Sequence, residues 1–142
     1  MKSTFLICAL SSLSLALNAQ CDKNVIYNSG RADFVDSLGN NIHSKEGKIT
    51  VTLTKKDFVL MHDDDEEDAL RGDVKNLRCE WKDAYKNGAT TFESELVGKS
   101  GEKDEAMVLI EGKDSKLLIQ VKFKTMDKIL KIIPTGHTET KE

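Results

Sequence analysis

Apolar and polar residues alternate along most of this chain, in short runs bounded by Gly, Asn and Asp. Such alternation puts every second side chain on one face, which is the pattern of a strand half-buried against a core. The clearest run is KITVTLT, residues 48–54. Ile49, Val51 and Leu53 share one face, and Thr50, Thr52 and Thr54 share the other. KLLIQVKFK (116–124) sets Leu117, Ile119, Val121 and Phe123 inward, with Gln120, Lys122 and Lys124 outward. TTFESELV (90–97) groups Phe92, Ser94 and Leu96 on one side. NVIYNSG (24–30), ADFVD (32–36), DFVLMH (57–62) and KILKII (128–133) read as further strands, the last ended by Pro134. Residues 106–110 are continuously apolar, which predicts a strand covered on both faces.

One run changes phase. Leu70 and Val74 are even-numbered, whereas Leu77, Cys79 and Trp81 are odd. A bulge or break near Lys75 and Asn76 would restore a common inward face. Turns are predicted at residues 36–41, where Gly39 and Asn40 tolerate positive φ, at KEGK (45–48), and at 55–57. Further turns fall at 98–104, 112–115 and 125–128. Asn87-Gly88 is the strongest hairpin signal. The sum is about eight or nine strands with short connections, which favour antiparallel neighbours. The predicted fold is all-β, an antiparallel meander closed into a small barrel or folded into a two-layer sandwich. Little helix is expected; the DEEDALRGDV stretch has propensity for one turn at most, against Gly72. No internal repeat is visible in the residues.

The start of the chain follows a different rule. MKSTFLICALSSLSLALNAQ has a lysine at position 2, an apolar run from Phe5 to Leu17, and a small-residue end at Ala19. This is the pattern of a secretory signal peptide over residues 1–19. The run is too short and too Ser-broken for a membrane span of about 20 residues. Removing 19 of the 142 residues leaves 123, suited to a single domain over 20–134 with a polar C-terminal tail over 135–142. Without Lys2 there are 20 Lys and Arg against 24 acids, a formal charge of −4. The lysines are spread over the chain and form no basic face, which argues against nucleic acid and anionic membranes.

Export changes the reading of the cysteines. Cys8 leaves with the signal, and Cys21 and Cys79 remain as one internal pair. Oxidising compartments favour a Cys21–Cys79 disulfide. A large closed loop of this kind stabilises by roughly 2–4 kcal/mol in the chain-entropy picture. Two alternatives stand beside it: a buried Cys79 with a loose Cys21, or a lipid-anchored Cys21. The start resembles a bacterial lipoprotein only in part, because Gln20 stands where those signals carry a small residue.

Candidate chemistry is sparse. The sequence MHDDDEEDALRG (61–72) holds six consecutive acids. Hard cations take several oxygens, but an extended run turns Asp63, Asp65 and Glu67 away from Asp64, Glu66 and Asp68. The expected reading is a solvated, exposed loop, with a weak divalent-cation site helped by His62 as the alternative. His43, His62 and His137 lack zinc-site spacing. No GxSxG occurs, and GKSGEKD (98–104) does not match the phosphate-loop spacing. No catalytic, metal or cofactor residues are assigned. Most aromatics read as core; Trp81 and Tyr85, flanking Asn87-Gly88, are the candidate rim for a ligand or partner. The functional expectation is a small exported, non-enzymatic binding or structural module, secreted or periplasmic, for an unknown protein or small-molecule partner. The alternative is a carrier of a small apolar ligand inside a barrel.

Overall fold

The computed structural model describes residues 23–140. Ten strands form one antiparallel sheet that closes on itself: β1 (Asn24–Val35), β2 (Asn41–Leu53), β3 (Asp57–His62), β4 (Leu70–Asp73), β5 (Lys75–Asp83), β6 (Asn87–Val97), β7 (Lys103–Lys113), β8 (Lys116–Phe123), β9 (Ile129–Ile132) and β10 (Gly136–Thr140). The closing contact joins β9 to β1, with Ala32 opposite Ile132 and Phe34 opposite Leu130. Of the two predicted architectures, the barrel is the one formed. Eight strands make the ring, and β5 and β10 continue β4 and β9 beyond it.

Inward positions fill the barrel. Phe58, Phe92, Leu96, Ile110, Ile119, Leu130, Ile132, Val51, Val108 and Val121 are the fully buried large side chains. Each contributes roughly 1.5–3 kcal/mol of burial, so stability resides in this interior. Outward positions on β6, β7 and β8 carry Glu93, Glu95, Glu105 and Lys122. A lipid-facing barrel would present an apolar band there instead. Among the described residues no helix is long and apolar enough to cross a membrane.

The two halves of the chain repeat one pairing pattern. In the first, β1 to β4 form a meander, and β4 and β5 both pair with β6. In the second, β6 to β9 form a meander, and β9 and β10 both pair with β1. Each half therefore passes its last two strands to the first strand of the other. The sequence carries no visible repeat because pairing depends on alternation and strand length, which many residues satisfy.

The strand breaks have local causes. Val74 separates β4 from β5, and Asn76 takes φ of 54°, with a register shift between Lys75 and Arg78. The phase change in the residues marked this place. Pro134 separates β9 from β10, where its missing N–H cannot serve a ladder. There the Ser29 hydroxyl donates to the Ile133 carbonyl at 2.8 Å, and β1 shifts register between Ser29 and Arg31.

Several expectations change. KEGK (45–48) is no turn but lies inside β2, where Gly47 and Lys48 together oppose Gly30 as a bulge. Residues 106–110 are covered on one face only: Ala106, Val108 and Ile110 are buried, while Met107 is 51% exposed. The run is apolar, but no layer packs outside it. Residues 136–140, expected as part of a polar tail, pair with β1 from Asn28↔Gly136 to Asn24↔Thr140. Their side chains all remain exposed, so it is the ladder of β1 that organises them.

Candidate functional site

The lower end of the barrel, where β5 and β10 extend past the ring, gathers the residues singled out from the sequence. β10, β1 and β2 form one lip, and β5, β6 and β7 form the other. β3 begins at Asp57, opposite Asp73, so β5 runs on without it. Side chains must fill the gap between the lips.

Trp81 does most of this filling. It stands in register with Gly88 on β6, which stands in register with Gly112 on β7. A Cβ on Gly88 would lie 2.5 Å from the Trp81 Cα, and one on Gly112 would lie 2.7 Å from its ring. The indole therefore lies over two positions where only hydrogen fits. Its Nε1–H donates to Thr90 Oγ1 at 2.8 Å, and the Thr90 hydroxyl donates to Cys79 Sγ at 3.6 Å. At 4% exposure Trp81 is a plug in the core and not the rim residue expected. Burial follows from the inward face it shares with Leu77 and Cys79.

Tyr85 is at the surface and bridges the lips. Residues 84–86 make the β5–β6 turn, closed by the Lys86 N–H donating to the Asp83 carbonyl at 3.1 Å. The turn thus precedes Asn87-Gly88, and Tyr85 itself takes the left-handed conformation, φ 60°. Its hydroxyl donates to Glu139 Oε1 at 2.7 Å, and its ring packs 4.1 Å from the His137 ring. Trp81 lies 6.1 Å behind it and Tyr27 6.4 Å to the side. Lys23 Nζ lies 3.1 Å from the other Glu139 oxygen.

The electrostatics follow this geometry. The Tyr85 hydroxyl and then Lys23 hold the Glu139 carboxyl below its usual range. Burial, and secondarily Glu139, push the Tyr27 phenol well above its ordinary value. The cluster is an aromatic closure with one stabilised carboxylate. Lys23, Tyr27, His137 and Glu139 were not singled out in the sequence. Tyr27 follows the alternation of β1, whereas His137 and Glu139 depend on β10 forming.

Beside this closure, Tyr85, Lys86, Lys116, Leu117, Ile133 and Pro134 line an open concavity of about 450 Å³. A recess between the lips, lined by Lys23, Val25, Leu53, Leu77 and Cys79 among others, holds about 20 Å³, the space of one water. Cys21 lies outside the described residues.

The acid run is an exposed loop between β3 and β4. Its carboxylates do not converge. Asp63 accepts from the Lys48 N–H at 2.8 Å, Asp64 pairs with Lys48 Nζ at 2.8 Å, and Asp65 Oδ1 accepts from the Glu67 N–H at 3.0 Å. His62 joins this loop, His43 stacks on Phe34, and His137 packs at a tilt against Tyr85. Among the described residues no group of three or more His, Cys, Asp or Glu is placed to hold a metal ion. Comparison with protein-family models, curated proteins and solved structures finds no match for this chain.

Proposed function

We propose that this is a small exported, non-enzymatic binding or structural module that acts through the outside of its barrel. The observation that carries the reading is the filled interior. Ten large side chains are buried below 2% exposure, and the recess between the lips has room for about one water. The larger concavities lie on the outside. One of about 450 Å³ adjoins Tyr85, and one of about 560 Å³ lies over the outward face of β6, β7 and β8. A carrier of an apolar ligand would need a cavity of some 300 Å³ or more, so the filled interior weighs against that alternative. Native mass spectrometry of the protein purified from its own host tests the choice. A bare polypeptide mass is expected, and a stoichiometric apolar ligand that survives exchange would overturn the reading.

Export to the periplasm or exterior belongs to the same proposal, with a Cys21–Cys79 disulfide. The short chain distance from Lys23 permits the bond. Lys23 and Cys79 line one small recess, and Cys21 precedes Lys23 by two residues, a reach of about 7 Å. A bond there would fasten the start of β1 to β5, across the gap that β3 leaves open. Mass analysis without reductant should find the mature chain two hydrogens lighter than its dithiol form; two free thiols would refute the pairing.

A further inference from the structure

The upper end of the barrel poses a problem that the acid loop answers. β2 begins at Asn41, but β3 ends at His62, opposite Ile49. Among the described residues, positions 41–48 of β2 therefore have β1 on one side and no strand on the other. An edge of this kind presents N–H and C=O groups to any other strand, a copy of the same chain included. Ile42 on this stretch and Leu38 in the turn before it are 49% and 85% exposed and add apolar surface.

The loop occupies part of this edge with groups that imitate a strand. The Asp63 N–H donates to the Lys48 carbonyl at 2.7 Å, and Asp63 Oδ1 accepts from the Lys48 N–H at 2.8 Å. The carboxylate stands in for a backbone carbonyl. Two residues further along the edge, His62 Nε2 lies 2.7 Å from the Glu46 carbonyl. A carbonyl only accepts, so this nitrogen carries the hydrogen and stands in for a backbone N–H. Lys48 Nζ to Asp64 at 2.8 Å and Lys45 Nζ to Asp68 at 3.8 Å hold the rest of the loop along the strand. Gly47 makes the approach feasible. A Cβ there would lie 2.6 Å from Asp63 Oδ1 and 2.7 Å from His62 Nε2, and its φ of 128° disfavours other residues.

We propose that His62 and the acid run form an edge guard, which occupies the backbone groups of Glu46 and Lys48 and so prevents β2 from pairing with the β2 of a second copy. The inference does not depend on what the barrel binds. It gives the unspaced acids a role. Asp63 supplies the imitation of a carbonyl, and Asp64 and Asp68 tether the loop along the edge.

The test compares Asp63→Ala with the double change Glu66→Gln, Glu67→Gln in the full mature chain. Hydrogen exchange is followed by NMR, and mass in solution by light scattering over a concentration series. In Asp63→Ala the Lys48 amide should exchange at least about ten-fold faster, and a concentration-dependent dimer should appear. The double variant removes more charge but leaves the contacts, and should match the wild type in both respects. The proposal is overturned if Lys48 stays protected in Asp63→Ala, or if that variant remains monomeric with Lys48 exposed. Dimerisation of the double variant would also overturn it, by making charge repulsion the guard. Exchange of the Val51 and Leu60 amides reports whether the barrel is intact. If Asp63→Ala does not fold, His62→Ala, which frees Glu46 alone, must show a smaller shift toward dimer, and its absence counts against the guard.

Discussion

The first half of the chain and the second share a strand-pairing pattern but leave different edges exposed. In the second half β7 outlasts β8 by only a few residues. The Lys124 N–H donates to the Glu105 carbonyl at 2.8 Å, and Asp104 accepts from the Thr125 N–H at 3.3 Å and its hydroxyl at 2.6 Å. The first half begins the same way, with Asp63 on Lys48, but β2 runs on toward Asn41. There the link between strands is longer, acidic and laid along the edge. A short overhang is met by one turn, and a long one by a guard. The other ends differ in the opposite sense. β5 turns a buried Trp81 inward, whereas β10 offers only exposed side chains and depends on β1 for its ladder. One pairing pattern thus tolerates an apolar closure or a polar one, according to how far each strand overruns its neighbour.

The largest test of this contrast is removal of the plug. Trp81→Ala should destabilise by about 3–5 kcal/mol, the usual range for a buried aromatic truncated to Ala. His137→Ala, on the opposing lip, should cost well under half of that; equal losses in denaturant titrations would contradict the asymmetry. Next in size is Gly112→Ala, whose Cβ would enter the Trp81 ring. A loss of roughly 1–3 kcal/mol is expected from overpacking. Combining it with Trp81→Ala should recover most of that increment, because the two groups share one space.

Two smaller effects depend on pH. Tyr27 titrates higher in the folded chain than in the unfolded one, so its contribution is complete below about pH 10 and is lost as pH rises from there. Over that alkaline window the wild type should lose stability faster than Tyr27→Phe, by up to about 1.4 kcal/mol per pH unit. Parallel curves would mean that the phenol is not buried as described. Glu139 has the opposite sign. Its lowered folded value means that the stabilisation is present above the ordinary carboxyl range and fades as pH falls through the folded value. Tyr85→Phe should therefore cost no more than about 1 kcal/mol near neutrality, screened by solvent. The difference should shrink in acid, as read from paired thermal melts.

Much of the fold was legible because alternation is a local property. The inward sets of residues 48–54, 90–97 and 116–124 are the inward sets of the barrel. The change of phase after Leu70 marked the β4–β5 break. What misled was also local. Gly47 signalled a turn, but it serves the approach of a loop from another part of the chain. The apolar run at 106–110 suggested two covered faces, yet coverage is set by what packs outside. Asn87-Gly88 marked the right hairpin for a different reason, since Gly88 makes room for Trp81.

By itself the sequence determined the all-β class, the antiparallel pairing of neighbours and the inward side of the strands that alternate cleanly, residues 48–54, 90–97 and 116–124. These follow from a two-residue period and short connections. Only the tertiary structure decided that the sheet closes, that its halves repeat, that Trp81 is a plug, and that His62 and Asp63 meet β2. Each depends on relative strand length and on groups far apart in the chain, where a one-residue difference in overrun changes which backbone atoms lack a partner.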